Sequence, residues 1–256
     1  MSWPRILVCL DVAAGRVVKG VRFSALTDQG DPLELAQRHA EAGADELVLL
    51  DIAASASAAG ARGTRRAWVR RVARHLRVPF TVGGGVTGWT DALALLDDGA
   101  DRVVVGTAAT RDPAVLGAVA ERAGAQAVVV SIDALHVTPE RCVVTRRGGR
   151  ERLALDAVAF ARTAADAGAG EVLLNVIDAD GTRAGFDVRY TRRVADAVPV
   201  PVIASGGAGT PADFHAVLTA GGARAALAAG VFHDGSHSVR AVKRYLGAQG
   251  LEVRPC

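Results

Sequence analysis

The sequence predicts a (βα)8 barrel, and three observations predict it. Short apolar runs alternate eight times with longer Ala/Arg/Leu stretches of helical period. The runs are nearly continuous rather than alternating, as strands buried on both faces of a parallel sheet require. The two halves also repeat. Ile6–Leu10 ends in Asp11 and Val128–Ile132 ends in Asp133; Gly83-Gly84-Gly85 returns as Gly206-Gly207; Gly106 returns as Gly230. These pairs are spaced by 122, 123 and 124 residues, the mark of one supersecondary pattern used twice. Finally, 256 residues suit one closed barrel, typically about 250 residues, so a single domain over 1–256 is expected.

The elements follow in order. A strand over 5–10 is followed by a long segment, 12–31, that contains Lys19 and reads as a loop. Asp31-Pro32 sets a cap before a first-turn proline and starts a helix over 32–43, which Ala42-Gly43 ends. A strand over 46–51 leads into a small, polar, glycine-containing loop over 53–65 and a helix over 64–76. Next come a strand over 78–82, a helix over 89–98 and a strand over 102–106. Asp112-Pro113 opens a helix over 113–123. The second half gives a strand over 127–132, a small hairpin within 134–152, and a helix over 155–167 ended by Ala167-Gly168. Strands over 171–177, 200–205 and 224–229 then alternate with helices over 187–197, 210–220 (opened by Thr210-Pro211) and 237–247. The alternative is an open doubly wound sheet, but no G-x-G-x-x-G opens a helix after the first strand.

Composition excludes several classes of function. No apolar stretch reaches the roughly 18 residues that span a bilayer, and no signal segment is evident, so a cytoplasmic location is expected. Cys9, Cys142 and Cys256 have no paired spacing, against a disulfide framework or zinc knuckle. The net charge of +3 is mild and the arginines are scattered without aromatic interleaving, which disfavours nucleic acid and suits an anionic small molecule. His39, His75, His215 and His237 read as solvated helix positions; His136 and His233 follow strands, and no spacing suggests a metal.

In such a barrel the strand C-terminal ends converge on one mouth, where active sites are built. Asp11, Asp51, Thr81, Asp133, Asp178, Asp180 and Ser205 lie at or just past predicted strand ends. A lone aspartate there is more often a helix cap. Asp11 and Asp133, placed by the repeat on opposite half-barrels, could serve as acid and base if their environments separate their pKa values. The glycine runs 83–85 and 206–209 precede helices. Each is either a tight turn or an anion site made by backbone N–H groups. Two such runs related by the repeat suggest a substrate with a phosphate at each end.

Further signatures run nearly end to end. They are Cys9-Leu10-Asp11-Val12 with Gly15-Arg16-Val17-Val18-Lys19-Gly20, Gly30-Asp31-Pro32, Gly43-Ala44-Asp45-Glu46-Leu47, Phe80-Thr81-Val82-Gly83-Gly84-Gly85, Asp178-Ala179-Asp180-Gly181-Thr182 and Pro201–Gly209. In these the chain resembles the cyclase subunit of imidazole glycerol phosphate synthase, in histidine biosynthesis. The resemblance implies a barrel without cofactor or metal that takes ammonia from a glutaminase partner, as a heterodimer. Ammonia would attack the ketone of a bisphosphorylated ribulosyl aminoimidazole carboxamide. Imidazole glycerol phosphate and aminoimidazole carboxamide ribotide would result. It implies Asp11 and Asp133 as the acid/base pair and Lys19 on a loop closing over substrate. The substrate- and phosphate-binding set would be Lys19, Asp51, Thr81, Gly84, Gly85, Gly106, Thr107, Asn175, Asp180, Gly181, Ser205, Gly206, Gly207, Ala229 and Gly230. Arg5, Glu46, Arg102 and Glu171 would form a charged ring where ammonia enters, and Asp101 would face the glutaminase.

The chain departs from that pattern at Ala53 (usually Thr), Val86-Thr87 (usually Ile/Val-Arg), Gly106 (usually Asn), Leu153-Ala154 (usually Thr-Gly), Val176 (usually Ser) and Gly230 (usually Ser). Several of these are mouth positions, where each lost donor costs roughly 1–3 kcal/mol if unreplaced. Three readings follow: the cyclase itself, a paralogue using the same ammonia chemistry on a related phosphorylated substrate in a specialised pathway, and a non-catalytic scaffold for a glutaminase. Intact Asp11, Asp133 and Lys19 weigh against the last.

Overall fold

The computed structural model describes residues 3–21, 24–52 and 60–256. Ala53 and the side chain of Lys19 lie outside the described residues. The chain begins with β1 (Arg5–Ala13), β2 (Arg16–Val21), β3 (Ser24–Gly30), α1 (Pro32–Glu41) and β4 (Glu46–Asp51). It continues through α2 (Gly60–Ala73), β5 (Phe80–Gly83), α3 (Trp89–Asp97), β6 (Arg102–Val105), α4 (Thr107–Arg111) and α5 (Ala114–Ala123). The second half comprises β7 (Val128–Thr138), β8 (Arg141–Arg146), β9 (Glu151–Asp156), α6 (Ala157–Asp166), β10 (Glu171–Val176) and α7 (Val188–Ala195). It ends with β11 (Val202–Ser205), α8 (Pro211–Thr219), β12 (Ala225–Ala228), α9 (Gly230–His233) and α10 (Val239–Ala248).

Eight parallel strands close on themselves. The ring runs β1, β4, β5, β6, β7, β10, β11 and β12, and β12 returns to β1 with Arg5 paired to Ala225. That closure excludes the open doubly wound sheet. Two of the three expected N-caps hold; Asp112 instead closes α4, and Pro113 stands at the N-cap of α5 with no side-chain cap bond. The Asp31 carboxylate accepts from the Leu33 and Glu34 amides at 2.9 and 3.3 Å, and Thr210 with Asp213 forms a capping box.

Strand alternation sorts every barrel residue by depth. On β1, Ile6, Val8 and Leu10 point outward into the layer between strands and helices, while Leu7 and Cys9 join a compact inner cluster with Val48, Val104, Val129, Leu173, Ile203, Ala225 and Leu227. Read from floor to mouth, the inward residues of β1 are therefore Arg5, Leu7, Cys9 and Asp11. Those of β10 are Glu171, Leu173 and Asn175. The barrel interior is a packed plug between a charged floor and a polar mouth, not an open pore.

Several expectations are corrected. The segment 12–31 is not a loop: Ala14 and Gly15, with φ of 50° and 78°, form a two-residue turn, and β2 and β3 continue as antiparallel strands. The expected hairpin in 134–152 is larger, with β8 and β9 added to an extended β7. The two antiparallel excursions thus occupy equivalent places in the two halves. Helix α2 starts at Gly60, inside the expected loop 53–65. Short helices α4 and α9 intervene after β6 and β12, where none were anticipated. His39 is not solvated but 3% exposed, on the inward stripe of α1 with Pro32, Leu35 and Ala36.

Candidate active site

At the floor, Arg5 bridges Glu46 (2.7 Å) and Glu171, and Arg102 bridges the same two carboxylates at 3.0 and 2.9 Å. All four residues sit first on the inward face of their strands, so the ring follows from register alone. Burial pushes the Glu171 carboxyl up and the two guanidiniums pull it back, with a net rise. Thr81 belongs here and not at the mouth. It is the second residue of the four-residue strand β5, in register with Arg102, and its hydroxyl donates to Glu46 at 2.5 Å. Asp101 lies on the same face and accepts from the Phe80 amide at 2.9 Å.

At the mouth a cleft of about 1540 Å³ opens between the strand ends. Its walls include Asp11, Asp51, Gly84, Gly85, Gly106, Thr107, Asp133, Asn175, Asp180, Gly181, Ser205, Gly206, Gly207, Ala229 and Gly230. Apart from Thr81 and Lys19, every substrate- or phosphate-binding candidate is therefore brought together there. The two glycine runs are required by close approach. At Gly84 (φ +95°) a Cβ would lie 2.1 Å from the Asp51 carbonyl oxygen; at Gly206 (φ +91°) it would lie 2.8 Å from the Val176 carbonyl oxygen. Asp51 and Val176 occupy the same place in β4 and β10, so the repeat extends to these loop contacts.

Asp11 and Asp133 face one another's half across this cleft with few polar neighbours. Burial, then the negative charge of Asp180, raises Asp11 to about 7, against a weak contact from the Cys9 thiol 3.8 Å away. Burial raises Asp133 to about 6, opposed by the Asn175 carboxamide, whose Nδ2 donates to Oδ1 at 3.3 Å. Near neutral pH Asp11 is therefore the more readily protonated of the two and Asp133 the more readily ionised, with the Asp180 charge disfavouring ionisation of both.

The sequence reading missed several cavity residues. Arg65, Arg147, Arg150 and Arg183 line it, bringing cations to a site read only as glycine loops. The buried Arg65 also donates to the Gly84 carbonyl. The Arg146-Arg147-Gly148-Gly149-Arg150 run was the available signal, and it is the turn between β8 and β9. His233 also lines the cavity; its Nε2 contacts the Cys9 carbonyl at 2.9 Å and its Nδ1 the His39 Nε2 at 3.0 Å. Because the carbonyl only accepts, His233 donates from Nε2 and meets His39 through Nδ1. Burial and the neighbouring ring hold His39 down near 3, so its ring is neutral. The pair ties α1 and α9 to the strand that carries Asp11.

A family model described as "Histidine biosynthesis protein" matches residues 5–238. The chain is 51% identical over 253 residues to the imidazole glycerol phosphate synthase subunit HisF of Acidobacterium capsulatum, covering 98% of each protein. It is 53% identical over 250 residues to the subunit of the same name from Myxococcus xanthus, covering 98% of this chain and 97% of that one. On the extent of that match and the geometry above, this chain belongs to the histidine biosynthesis protein family.

Proposed function

We propose that this chain is the cyclase subunit of an imidazole glycerol phosphate synthase. It joins ammonia to a bisphosphorylated ribulosyl aminoimidazole carboxamide, closing the imidazole ring and releasing aminoimidazole carboxamide ribotide. The single observation that carries the reading is the pair Asp11 and Asp133. They are two half-buried carboxyls at repeat-related strand ends, both raised into the neutral range, within a cleft whose two sides carry equivalent glycine turns. Addition of ammonia to a ketone requires a proton to leave nitrogen and the carbonyl oxygen to depart as water. A carboxylate and a carboxylic acid near pH 7 supply one group for each transfer. The glycine turns at Gly84–Gly85 and Gly206–Gly207, with the cleft arginines, suit a dianionic group at each end.

The partner is a glutaminase subunit, with which the chain forms a heterodimer, and the floor ring of Arg5, Glu46, Arg102 and Glu171 is where ammonia enters. Trp3 is half exposed beside that ring, as an anchor for a docked protein would be. The unit is one barrel domain over residues 1–256, and it works in the cytoplasm; no helix of the described residues is long and apolar enough to cross a membrane. No observation favours the paralogue reading, and shifted carboxyls in an open cleft are not what a purely structural scaffold needs.

Turnover with ammonium salt at alkaline pH tests this. The purified chain should convert the ribulosyl substrate without any partner and should use glutamine only when a glutaminase is added. Failure with ammonium, or glutaminase activity in the chain alone, would overturn the reading.

A further inference from the structure

The half-barrel repeat places Asp11 and Asp133 at equivalent positions, yet it gives them unequal neighbours. In the parallel register Asp11 lies opposite Leu50 of β4, and Asp133 lies opposite Asn175 of β10. The equivalence is complete along both pairs of strands: Leu7 pairs with Glu46 as Val129 pairs with Glu171, and Cys9 with Val48 as Ser131 with Leu173. Leu50 and Asn175 therefore hold one position in one motif. One offers a hydrocarbon packed on the inner cluster, the other a carboxamide that donates to the carboxylate at 3.3 Å.

We propose that Asn175 is a positioning residue that makes the two aspartates chemically unequal: its N–H holds Asp133 as the carboxylate, while Leu50 leaves Asp11 as the member that keeps a proton. This rests on the reading of Asp11 and Asp133 as the acid/base pair. Three features support it. The Asn175 Oδ1 is buried and meets no donor among the described residues, and a Cβ at Gly206 would lie 3.0 Å from it, so the oxygen edge is pressed against the β11 turn and the amino edge is left for Asp133. Thr145 of β8 donates to the Asp133 main-chain carbonyl at 3.1 Å, which fixes that residue's backbone without touching its carboxyl. The charged group bearing on both carboxyls is Asp180, which disfavours ionisation of each and so does not by itself tell them apart. Around the same cleft stand Asp51, Arg147, Arg150, Arg183 and His233. On the Asp11 side the polar contact among the described residues is a thiol at 3.8 Å, a weak donor.

Exchanging the two neighbours tests the proposal. Carboxyl carbon NMR titration of the intact chain reads each aspartate without requiring turnover, and the pH dependence of kcat with ammonium salt reads the working pair. In Asn175→Leu the Asp133 titration and the acid limb of the rate profile should both move up by about one pH unit, the worth of one lost charge-assisted hydrogen bond. Leu50→Asn should move the Asp11 titration down by a similar amount. Asn175→Thr, whose hydroxyl can donate from the same strand position, should restore much of the wild-type profile. A merely structural asparagine would alter stability and leave both titrations in place, and that result overturns the proposal. If Asn175→Leu does not fold, Leu50→Asn decides, since an unmoved Asp11 titration also overturns it. A wild type that binds but does not convert the ribulosyl substrate would remove the functional reading while the NMR titrations still decide the role of Asn175.

Discussion

Asp11→Asn should raise the thermal stability of this protein at alkaline pH while lowering turnover by orders of magnitude. Burial and the charge of Asp180 carry Asp11 from the ordinary 3.8 to about 7. The folded protein therefore holds that proton to higher pH than the unfolded chain does. Between about pH 4 and pH 7 the native state binds more protons, so stability falls as pH rises and the full cost is present above pH 7. A thousandfold bias toward the protonated form corresponds to about 4 kcal/mol, at about 1.4 kcal/mol per factor of ten. The carboxyl faces an open cleft, so water recovers part of that, and about 2 kcal/mol is the expected cost of the charge at pH 8.5. Asparagine keeps the shape and removes the charge. At roughly 2–4 °C per kcal/mol for a chain of this size, Tm should rise by about 4–8 °C at pH 8.5 and by clearly less at pH 5. Thermal unfolding of wild type and variant at the two pH values measures it. A Tm that is unchanged or lowered at pH 8.5, or raised equally at both values, would refute the argument that this site stores the cost of a buried carboxylate.

Three other outcomes are expected. Glu46→Leu leaves Arg5 and Arg102 with one carboxylate between them and orphans the Thr81 hydroxyl; stability should fall by about 3 kcal/mol in denaturant titration, and glutamine-driven turnover with the partner should fall more than ammonium-driven turnover. His136 is pulled down by burial, but its hydrogen bonds to Asp187 (2.7 Å) and the Thr138 carbonyl outweigh this and leave it raised. Its contribution is fully present below about pH 6.5, the unfolded value, and is lost as pH rises through the folded one, so His136→Phe should narrow the stability gap between pH 6 and pH 8.5 in urea titrations. Gly106 has a negative φ, and a Cβ there would meet Ser131 at an ordinary 3.8 Å, so Gly106→Asn should fold normally and lower KM for the ribulosyl substrate by up to about tenfold if the added carboxamide reaches it; an unchanged KM would mark that departure as neutral.

Much of this architecture was legible because it rests on patterns the chain repeats. Eight continuous apolar runs became the barrel strands, and the twin aspartates and glycine runs fell on one mouth. What escaped depended on where a strand begins. Placing the third barrel strand at 78–82 put Thr81 near its far end, whereas the strand runs Phe80–Gly83 and Thr81 stands at the floor. Two residues of register convert a mouth residue into a floor residue. The β2–β3 excursion was hidden because its turn needs two positive φ values and only Gly15 advertises one. His39 is different: its spacing from Pro32, Leu35 and Ala36 already marks the buried stripe of α1. The helical period contained that answer, and the polarity of the residue obscured it. The cleft arginines come from helix α2 (Arg65), the β8–β9 turn (Arg147 and Arg150) and the loop before α7 (Arg183), with no common spacing, so only the fold could assemble them.

The proposed chemistry turns on Asp11 and Asp133 moving protons at this mouth. The most direct measurement is kcat with saturating ammonium salt on the bisphosphorylated ribulosyl substrate, with imidazole glycerol phosphate as the product followed, for wild type, Asp11→Asn and Asp133→Asn. Each substitution should lower kcat by about 10²–10⁴-fold with the fold retained by circular dichroism. Near wild-type turnover in both variants would contradict the account at its centre.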